Sequence, residues 1–219
     1  MRIVVTAGPT REHLDPVRFL SNPSTGKMGF AVAAAAVRRG HEVTLVAGPV
    51  SLKTPKGARR VDVTSARDML VAVERAVSGK GRAATDGSVV LVSTAAVADW
   101  RPAVCAASKL KKREMSGTLR LVRNPDILKT VSGCVKVGFA AETDDVLSEA
   151  ARKCREKGLA FIVANDVSER GSGFGADTNR VTFVFPDGTL RKHPLMTKRR
   201  VAGAIVREIE SLPPVDGRI

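Results

Sequence analysis

The chain has 219 residues, 43% of them apolar, enough for a sizeable core in a single domain spanning 1–219, but with no apolar run long enough to cross a membrane. A formal charge of +14, from 36 basic against 22 acidic side chains, points to anionic partners: nucleotides, phosphorylated metabolites or nucleic acid. No Tyr, one Trp and seven Phe leave few rings for base stacking, so nucleic acid is not the expected partner. Three cysteines, Cys105, Cys134 and Cys154, have no metal-ligand spacing and are odd in number, so they read as free thiols, partly buried. No leader pattern precedes the first strand, and a soluble, cytoplasmic protein is expected.

In chain order, Ile3, Val4 and Val5 form a buried strand ended by Thr6-Ala-Gly-Pro9. A long polar connection, Gly8 to Ser24, follows and holds Thr10, Arg11, Glu12, Asp15 and Arg18; connections this long in a compact domain are usually functional. The apolar pattern Ala31 to Val37 places a helix over about Thr25 to Arg39, stopped by Gly40. Glu42 to Ala47 is a second strand, with a turn-rich stretch from Gly48 to Gly57, and Arg60 to Val63 is a third. Ser65 caps a helix running to about Ser78, and Ser88 to Ser93 is a fourth strand after a glycine-rich turn. Such alternation predicts an α/β fold with a doubly wound, mostly parallel, Rossmann-like sheet.

The pattern then changes. Ala106 to Arg123 carries Lys109, Lys111, Lys112, Arg113, Arg120 and Arg123 against Glu114 alone, and a positively charged flap over about 100–123 is the economical reading. Asn124-Pro-Asp-Ile127 opens a short helix, Val135 to Phe139 is a strand, Asp144 to Lys157 a helix and Leu159 to Ala164 another strand. Gly171 to Gly175 is a loop, Arg180 to Phe185 and Thr189 to His193 flank a Pro-Asp-Gly turn as a hairpin over about 180–193, and Thr197 to Leu212 is an amphipathic helix. Flap and hairpin do not fit a parallel sheet. Both are expected in a small antiparallel extension at one edge.

The polar front of the first helix is where chemistry is expected. Asn22, Ser24 and Thr25 offer capping oxygens, and Gly26 and Gly29 let a ligand approach the backbone, so the first turn presents free N–H groups to an anion. Taken by itself, the stretch also reads as an ordinary capped helix. A phosphate loop is not supported, because Ser21 replaces its leading glycine and Met28 its magnesium-binding hydroxyl. A dinucleotide fingerprint is missing too: Gly8-Pro9-Thr10 supplies one glycine before the long excursion. His13, His41 and His193 stand apart from the cysteines in any metal pattern, so no zinc site is expected.

The residues converge on a family. Thr6-Ala-Gly-Pro-Thr-Arg-Glu12, Asp15-Pro-Val-Arg18, Ser21-Asn22, Ser24-Thr-Gly-Lys-Met-Gly29, Ala95-Ala-Val-Ala-Asp99, Lys109-Leu-Lys-Lys112, Asn124-Pro-Asp-Ile127, Gly138-Phe-Ala-Ala-Glu-Thr143 and Ala164-Asn-Asp-Val167 together resemble the phosphopantothenate–cysteine ligase family over nearly the whole chain. The resemblance implies a ligase of coenzyme A biosynthesis that uses CTP and Mg²⁺. The 4′-phosphopantothenate carboxylate attacks the α-phosphorus of CTP, pyrophosphate leaves, and the cysteine amine displaces CMP from the acyl-cytidylate. It also implies a homodimer assembled through the antiparallel extension. A flavin-dependent decarboxylase, fused or separate, is a further implied partner.

Residue by residue, the resemblance assigns catalysis to Asn22 and Lys109, with Lys109 on the phosphates and Asn22 holding the acyl-cytidylate; Arg18 joins Asn22 as a substrate-binding residue. The nucleotide falls to Gly8, Ser24, Gly26, Gly29, Ser93, Thr94, Ala95, Asp99, Lys109, Pro125, Asp126, Ile127, Leu128, Phe139, Lys153 and Lys157. Lys153 and Lys157 are four apart, so they share a helix face and can reach one polyanion. Strand ends are where open α/β sheets bind ligands, and Ser93 to Ala95 close a strand. The sequence departs from the family pattern at Trp100, commonly tyrosine, at Thr25, often serine, and at Ser108, often acidic.

Overall fold

The computed structural model describes residues 1–79, 89–114, 117–142, 146–166, 172–173 and 175–213. In chain order the elements are β1 (Arg2–Ala7), β2 (Arg11–His13), β3 (Phe19–Ser21), α1 (Lys27–Arg38), β4 (Glu42–Ala47), β5 (Ala58–Asp62), α2 (Ala66–Ser78), β6 (Val89–Ser93), β7 (Trp100–Pro102), β8 (Leu121–Arg123), α3 (Ile127–Thr130), β9 (Val135–Glu142), α4 (Val146–Glu156), β10 (Phe161–Asp166), β11 (Thr178–Asn179), β12 (Thr182–Val184), β13 (Leu190–Lys192), β14 (Met196–Thr197) and α5 (Lys198–Glu210). The expected strand start at Ser88, helix start at Asp144, and Gly171 and Phe174 of the loop lie outside the described residues.

Eight strands form one sheet in the order β13-β12-β10-β9-β6-β1-β4-β5, parallel from β10 to β5. β1 lies near the middle because Ile3, Val4 and Val5 are apolar on both faces, as a strand covered on two sides must be. Its alternate residues feed two cores. Ile3 and Val5 pack with α1 and α5 on one face; Val4 packs with α2, α3 and α4 on the other. Ala33, Ala35 and Ala36 keep α1 slim where it meets α5. Ser65 and Asp68 cap each other's backbone at the start of α2, which fixes its entry.

The chain runs outward from β1 through β4 to β5, then returns to β6 on the other side of β1. The strand order therefore reverses between β1 and β6, and a crevice opens there at their C-terminal ends.

Three expectations need correction. Flap and hairpin do not share one antiparallel extension. The hairpin strands β12 and β13 join the main sheet, with β12 antiparallel to β10, because Val181, Phe183 and Val184 are buried and belong to the core. The flap is a separate ribbon, β7 with β8, that packs against a second ribbon, β2 with β3. That second ribbon occupies the connection from Gly8 to Ser24, which its polar composition had presented as a loop. The first helix also begins later than expected, at Lys27, with Gly26 in its cap position at φ 77° and no side-chain cap.

Candidate active site

The floor of the crevice is laced by short-range bonds between segments far apart in sequence. Thr94 Oγ1 donates to Thr6 O at 2.6 Å, and Ala95 N donates to Thr6 Oγ1 at 3.2 Å. Ala96 N donates to Gly8 O at 2.9 Å, and Ala98 N to the buried Thr10 Oγ1 at 3.0 Å. Asn22 Nδ2 then donates to Ala96 O at 3.2 Å and to Val97 O at 3.3 Å. Asn22 is therefore not a helix cap. It is fixed to the strand-end loop, and its amide oxygen remains for a ligand or water.

Above this floor is a cleft of about 450 Å³. Of the residues singled out in the sequence, it brings together Asn22, Ser24, Gly26, Gly29, Ser93, Thr94, Ala95, Asp99, Pro125, Asp126, Ile127, Leu128, Phe139 and Lys157. Gly29 is obligatory in this packing: a Cβ there would lie 2.4 Å from Thr94 Oγ1 and 2.5 Å from Ala7 Cβ. Its lack of a side chain lets the first turn of α1 touch the ends of β1 and β6, which puts the N–H groups of that turn, the positive end of the helix, over the crevice.

Gly8, Arg18, Lys109 and Lys153 do not line the cleft. Gly8, at φ 78°, underlies Gly26 and supports it. Arg18 is turned to Asp15, whose buried carboxylate accepts from Val17 N and Arg18 N at 2.8 Å each, from Arg18 Nε at 3.0 Å and from Leu110 N at 3.2 Å. Arg18 also donates to Leu110 O at 2.9 Å. The guanidinium contact, with the backbone donors behind it, holds the Asp15 carboxyl well below the usual carboxylate range despite its burial. Together Asp15 and Arg18 tie the flap to the β2–β3 ribbon. Lys109, one residue before that tie, is exposed on the flap.

At one end of the cleft Lys157 Nζ pairs with Asp126 Oδ2 at 2.9 Å, and Asp126 also caps α3 by accepting from Lys129 N at 3.2 Å. Phe139 lines that same cleft from β9. Asp99 is exposed at the rim, its loop held by Asn124 N on Asp99 O and Asn124 Nδ2 on Ala98 O, both 2.8 Å. A magnesium ion travelling with a nucleotide is held mainly by phosphates and one or two carboxylates, and a rim Asp99 fits that limited duty. No group of three or more His, Cys, Asp or Glu side chains that could hold a metal occurs among the described residues.

The opposite end holds residues to which no role was assigned: Lys27, Asn165, Ser172, Gly173, Asn179 and Lys198. Lys27 and Asn165 sit inside motifs already noted. Lys198 carried a legible signal, since a lysine opening a helix sits against the positive end of the dipole, which stability alone does not favour.

The domain family described as DNA/pantothenate metabolism flavoprotein C-terminal domain matches residues 1–212. The chain belongs to this family. A relative, the coenzyme A biosynthesis bifunctional protein CoaBC of Bacillus subtilis, is 48% identical over 98% of this chain and 52% of its own length. The chain thus spans about half the length of the curated relatives it matches. A crystal structure of the C-terminal domain of a coenzyme A biosynthesis bifunctional protein CoaBC superimposes with a TM-score of 0.77 at 41% identity, covering 95% of this chain and 93% of that one. The DNA/pantothenate metabolism flavoprotein from Streptococcus pneumoniae superimposes with a TM-score of 0.76 at 25% identity, over 96% and 99% of the two chains. No helix among the described residues is long and apolar enough to cross a membrane.

Proposed function

We propose that this chain is the phosphopantothenate–cysteine ligase of coenzyme A biosynthesis, joining 4′-phosphopantothenate to L-cysteine while CTP is converted to CMP and pyrophosphate. The observation that carries it is the cleft at the strand-order reversal, where a glycine-cleared helix N-terminus and an anchored asparagine face one space. The match to the C-terminal domain of CoaBC supports the same reading.

The chemistry brings two anions together, a carboxylate and a nucleoside triphosphate, so alignment and charge stabilisation are the protein's main tasks. The α1 first turn takes phosphate oxygens through its N–H groups. Asn22, locked by two bonds to the strand-end loop, presents its amide oxygen to the acyl-cytidylate at a fixed position. Pro125, Ile127, Leu128 and Phe139 give apolar surface to the nucleoside, and Lys157 with Asp126 gives it a polar edge. Lys109 is delivered by the flap, which lets substrate enter before the cation arrives. Magnesium, when bound, supplies charge neutralisation on the phosphates, with Asp99 as the residue to hold it. A homodimer and association with a flavin-dependent decarboxylase complete the proposal.

The deciding experiment measures pyrophosphate release with 4′-phosphopantothenate and each of the four nucleoside triphosphates, with and without cysteine and Mg²⁺. The expected result is turnover with CTP, with CMP and pyrophosphate formed and the amide product appearing only when cysteine is present. CDP and inorganic phosphate in their place would mean an acyl-phosphate route and overturn the cytidylate mechanism.

A further inference from the structure

The end of the cleft away from Asp126 and Lys157 has its own chemistry. Lys27 and Lys198 both line it: Lys27 Nζ donates to Gly175 O at 3.0 Å and pairs with Asp177 Oδ1 at 2.7 Å, and Lys198 Nζ donates to Gly173 O at 3.2 Å. Lys198 is only 7% exposed. Burial is the main reason its ammonium is easier to deprotonate than an ordinary lysine, and the charge of Lys27 adds to it against the opposing pull of Asp177. Two ammonium groups and one carboxylate therefore meet beside the positive end of α1, and Lys27 is the first residue of that helix. Independently, Asn179 lines the same end at 4% exposure, and its Oδ1 is buried with no hydrogen-bond partner among the described residues. An unmatched buried acceptor of this kind costs about 1–3 kcal/mol until a donor reaches it.

We propose that Lys27, Lys198 and Asn179 form a diphosphate subsite that takes the β- and γ-phosphates of the nucleotide and holds the departing pyrophosphate. This rests on the ligase reading and deepens it. In the step concerned, a substrate carboxylate oxygen bonds to the α-phosphorus, the bond from that phosphorus to the bridging oxygen breaks, and the electron pair leaves on pyrophosphate without a proton. Charge thus grows on the leaving group, and two fixed ammonium groups beside a helix N-terminus stabilise it where it grows. Magnesium bound with the diphosphate would bring coordinated water, whose O–H would be a donor for the Asn179 acceptor. An amino-acid zwitterion needs one cation and one acceptor; the second lysine and the helix end favour the diphosphate.

The test is titration calorimetry of the full chain with magnesium pyrophosphate and, separately, with CMP, for the unaltered protein, Lys198→Met and Lys27→Met. Pyrophosphate affinity is expected to fall at least about tenfold in each variant while CMP affinity stays within about twofold, since a hydrogen bond to a charged group is worth roughly 1.5–3 kcal/mol. Unchanged pyrophosphate affinity in both variants, or an equal fall for CMP, overturns the subsite. Should Lys198→Met not fold, Lys27→Met decides alone, because Lys27 stands at the rim, its side chain 36% exposed. A raised KM for L-cysteine with unchanged pyrophosphate binding would seat an amino acid there and also overturn it. The ligase reading fails separately: a chain that forms no phosphopantothenoylcysteine, yet loses pyrophosphate binding in both variants, keeps the subsite and loses that activity.

Discussion

Two glycines in helices test whether the α1 contact with the strand ends is a requirement of the site or an accident of composition. Gly203 in α5 has room, since a Cβ there meets only Arg207 Nη1 at 3.5 Å. Replacing it with alanine should stabilise the protein by up to about 1 kcal/mol through helix propensity. Gly29→Ala gains the same propensity but places a Cβ 2.4 Å from Thr94 Oγ1, 2.5 Å from Ala7 Cβ and 3.0 Å from Thr6 O. None of these can yield cheaply: Thr94 is bonded to Thr6 O at 2.6 Å, and the other two belong to the central strand. Overpacking of this kind costs about 1–3 kcal/mol, so the two variants should differ by about that amount. For a chain of this size the gap corresponds to about 2–12 °C between their melting temperatures. The relief open to Gly29→Ala is a shift of α1 away from β1 and β6, which moves its first turn off the crevice. Melts of both variants, with the KM for CTP, read the two consequences together. A Gly29→Ala protein as stable as Gly203→Ala, with an unchanged KM, would refute the argument.

Lys109→Gln keeps length and polarity but removes the flap cation; turnover should fall about a hundredfold, roughly 3 kcal/mol in the barrier, with a smaller loss of CTP binding, and full turnover at saturating CTP would remove Lys109 from catalysis. Asp15→Asn should free the flap, read as faster tryptic cleavage at Lys109 to Arg113 with the rest of the chain resistant; an unchanged rate would show that the Asp15–Arg18–Leu110 tie restrains nothing. Because the folded Asp15 carboxyl titrates below the ordinary carboxylate range, its contribution is present above that range and is lost only as pH falls through the lower folded value. Cleavage of the unaltered flap, normalised to an unfolded substrate, should therefore be flat above about pH 5. Sedimentation should show a dimer that Val104→Asp weakens, since Val104 is 78% exposed on the flap near Trp100, Leu119 and Leu121; an active, fully monomeric protein at working concentration would end that proposal.

The parallel core was legible because its signal is local: β-branched runs such as Val89 to Val92, bounded by turn residues, can hardly form anything else. Ser65 as a cap and the α2 span to Ser78 were equally readable, since cap and helix lie within one turn of each other. The two ribbons were not, because β2, β3, β7 and β8 have three residues each and are stabilised by packing on one another. The hairpin was recognised and lies antiparallel at one edge of the sheet, and only the flap stands apart from it. The hairpin's own pattern shows two strands; only the partner β10, some 20 residues earlier, decides that they extend the main sheet. At the site, the strand-end and helix-start residues are adjacent in motifs and so came out together. Lys198 and Asn179 meet the crevice through the short β11–β14 pairing, a contact that spacing along the chain does not encode. Arg18 shows what charge alone does not encode: the carboxylate three residues away, Asp15, sets where its guanidinium lies.

The distribution of rigidity follows from what the reaction asks. The floor beneath the crevice is held by at least five bonds joining residues 6–10 and 22 to 94–98, each worth about 1 kcal/mol net and most of them partly buried. That floor places Asn22 and the α1 first turn where charge must be met without rearrangement, which is the condition under which fixed dipoles lower a barrier most. The flap cannot share this rigidity, because a lysine built permanently into the same space would block a substrate as long as 4′-phosphopantothenate. Six of its basic residues, from Lys109 to Arg123, are accordingly exposed, and its middle is tied to the β2–β3 connection by Asp15 and Arg18 to Leu110 and by Ala106 N to Leu14 O, with Lys109 next to the tie. Most of the chain's positive charge thus waits outside the cleft, and inside it the cations are the few, Lys27, Lys157 and Lys198, whose positions are set by named contacts to Asp177, Asp126 and Gly173.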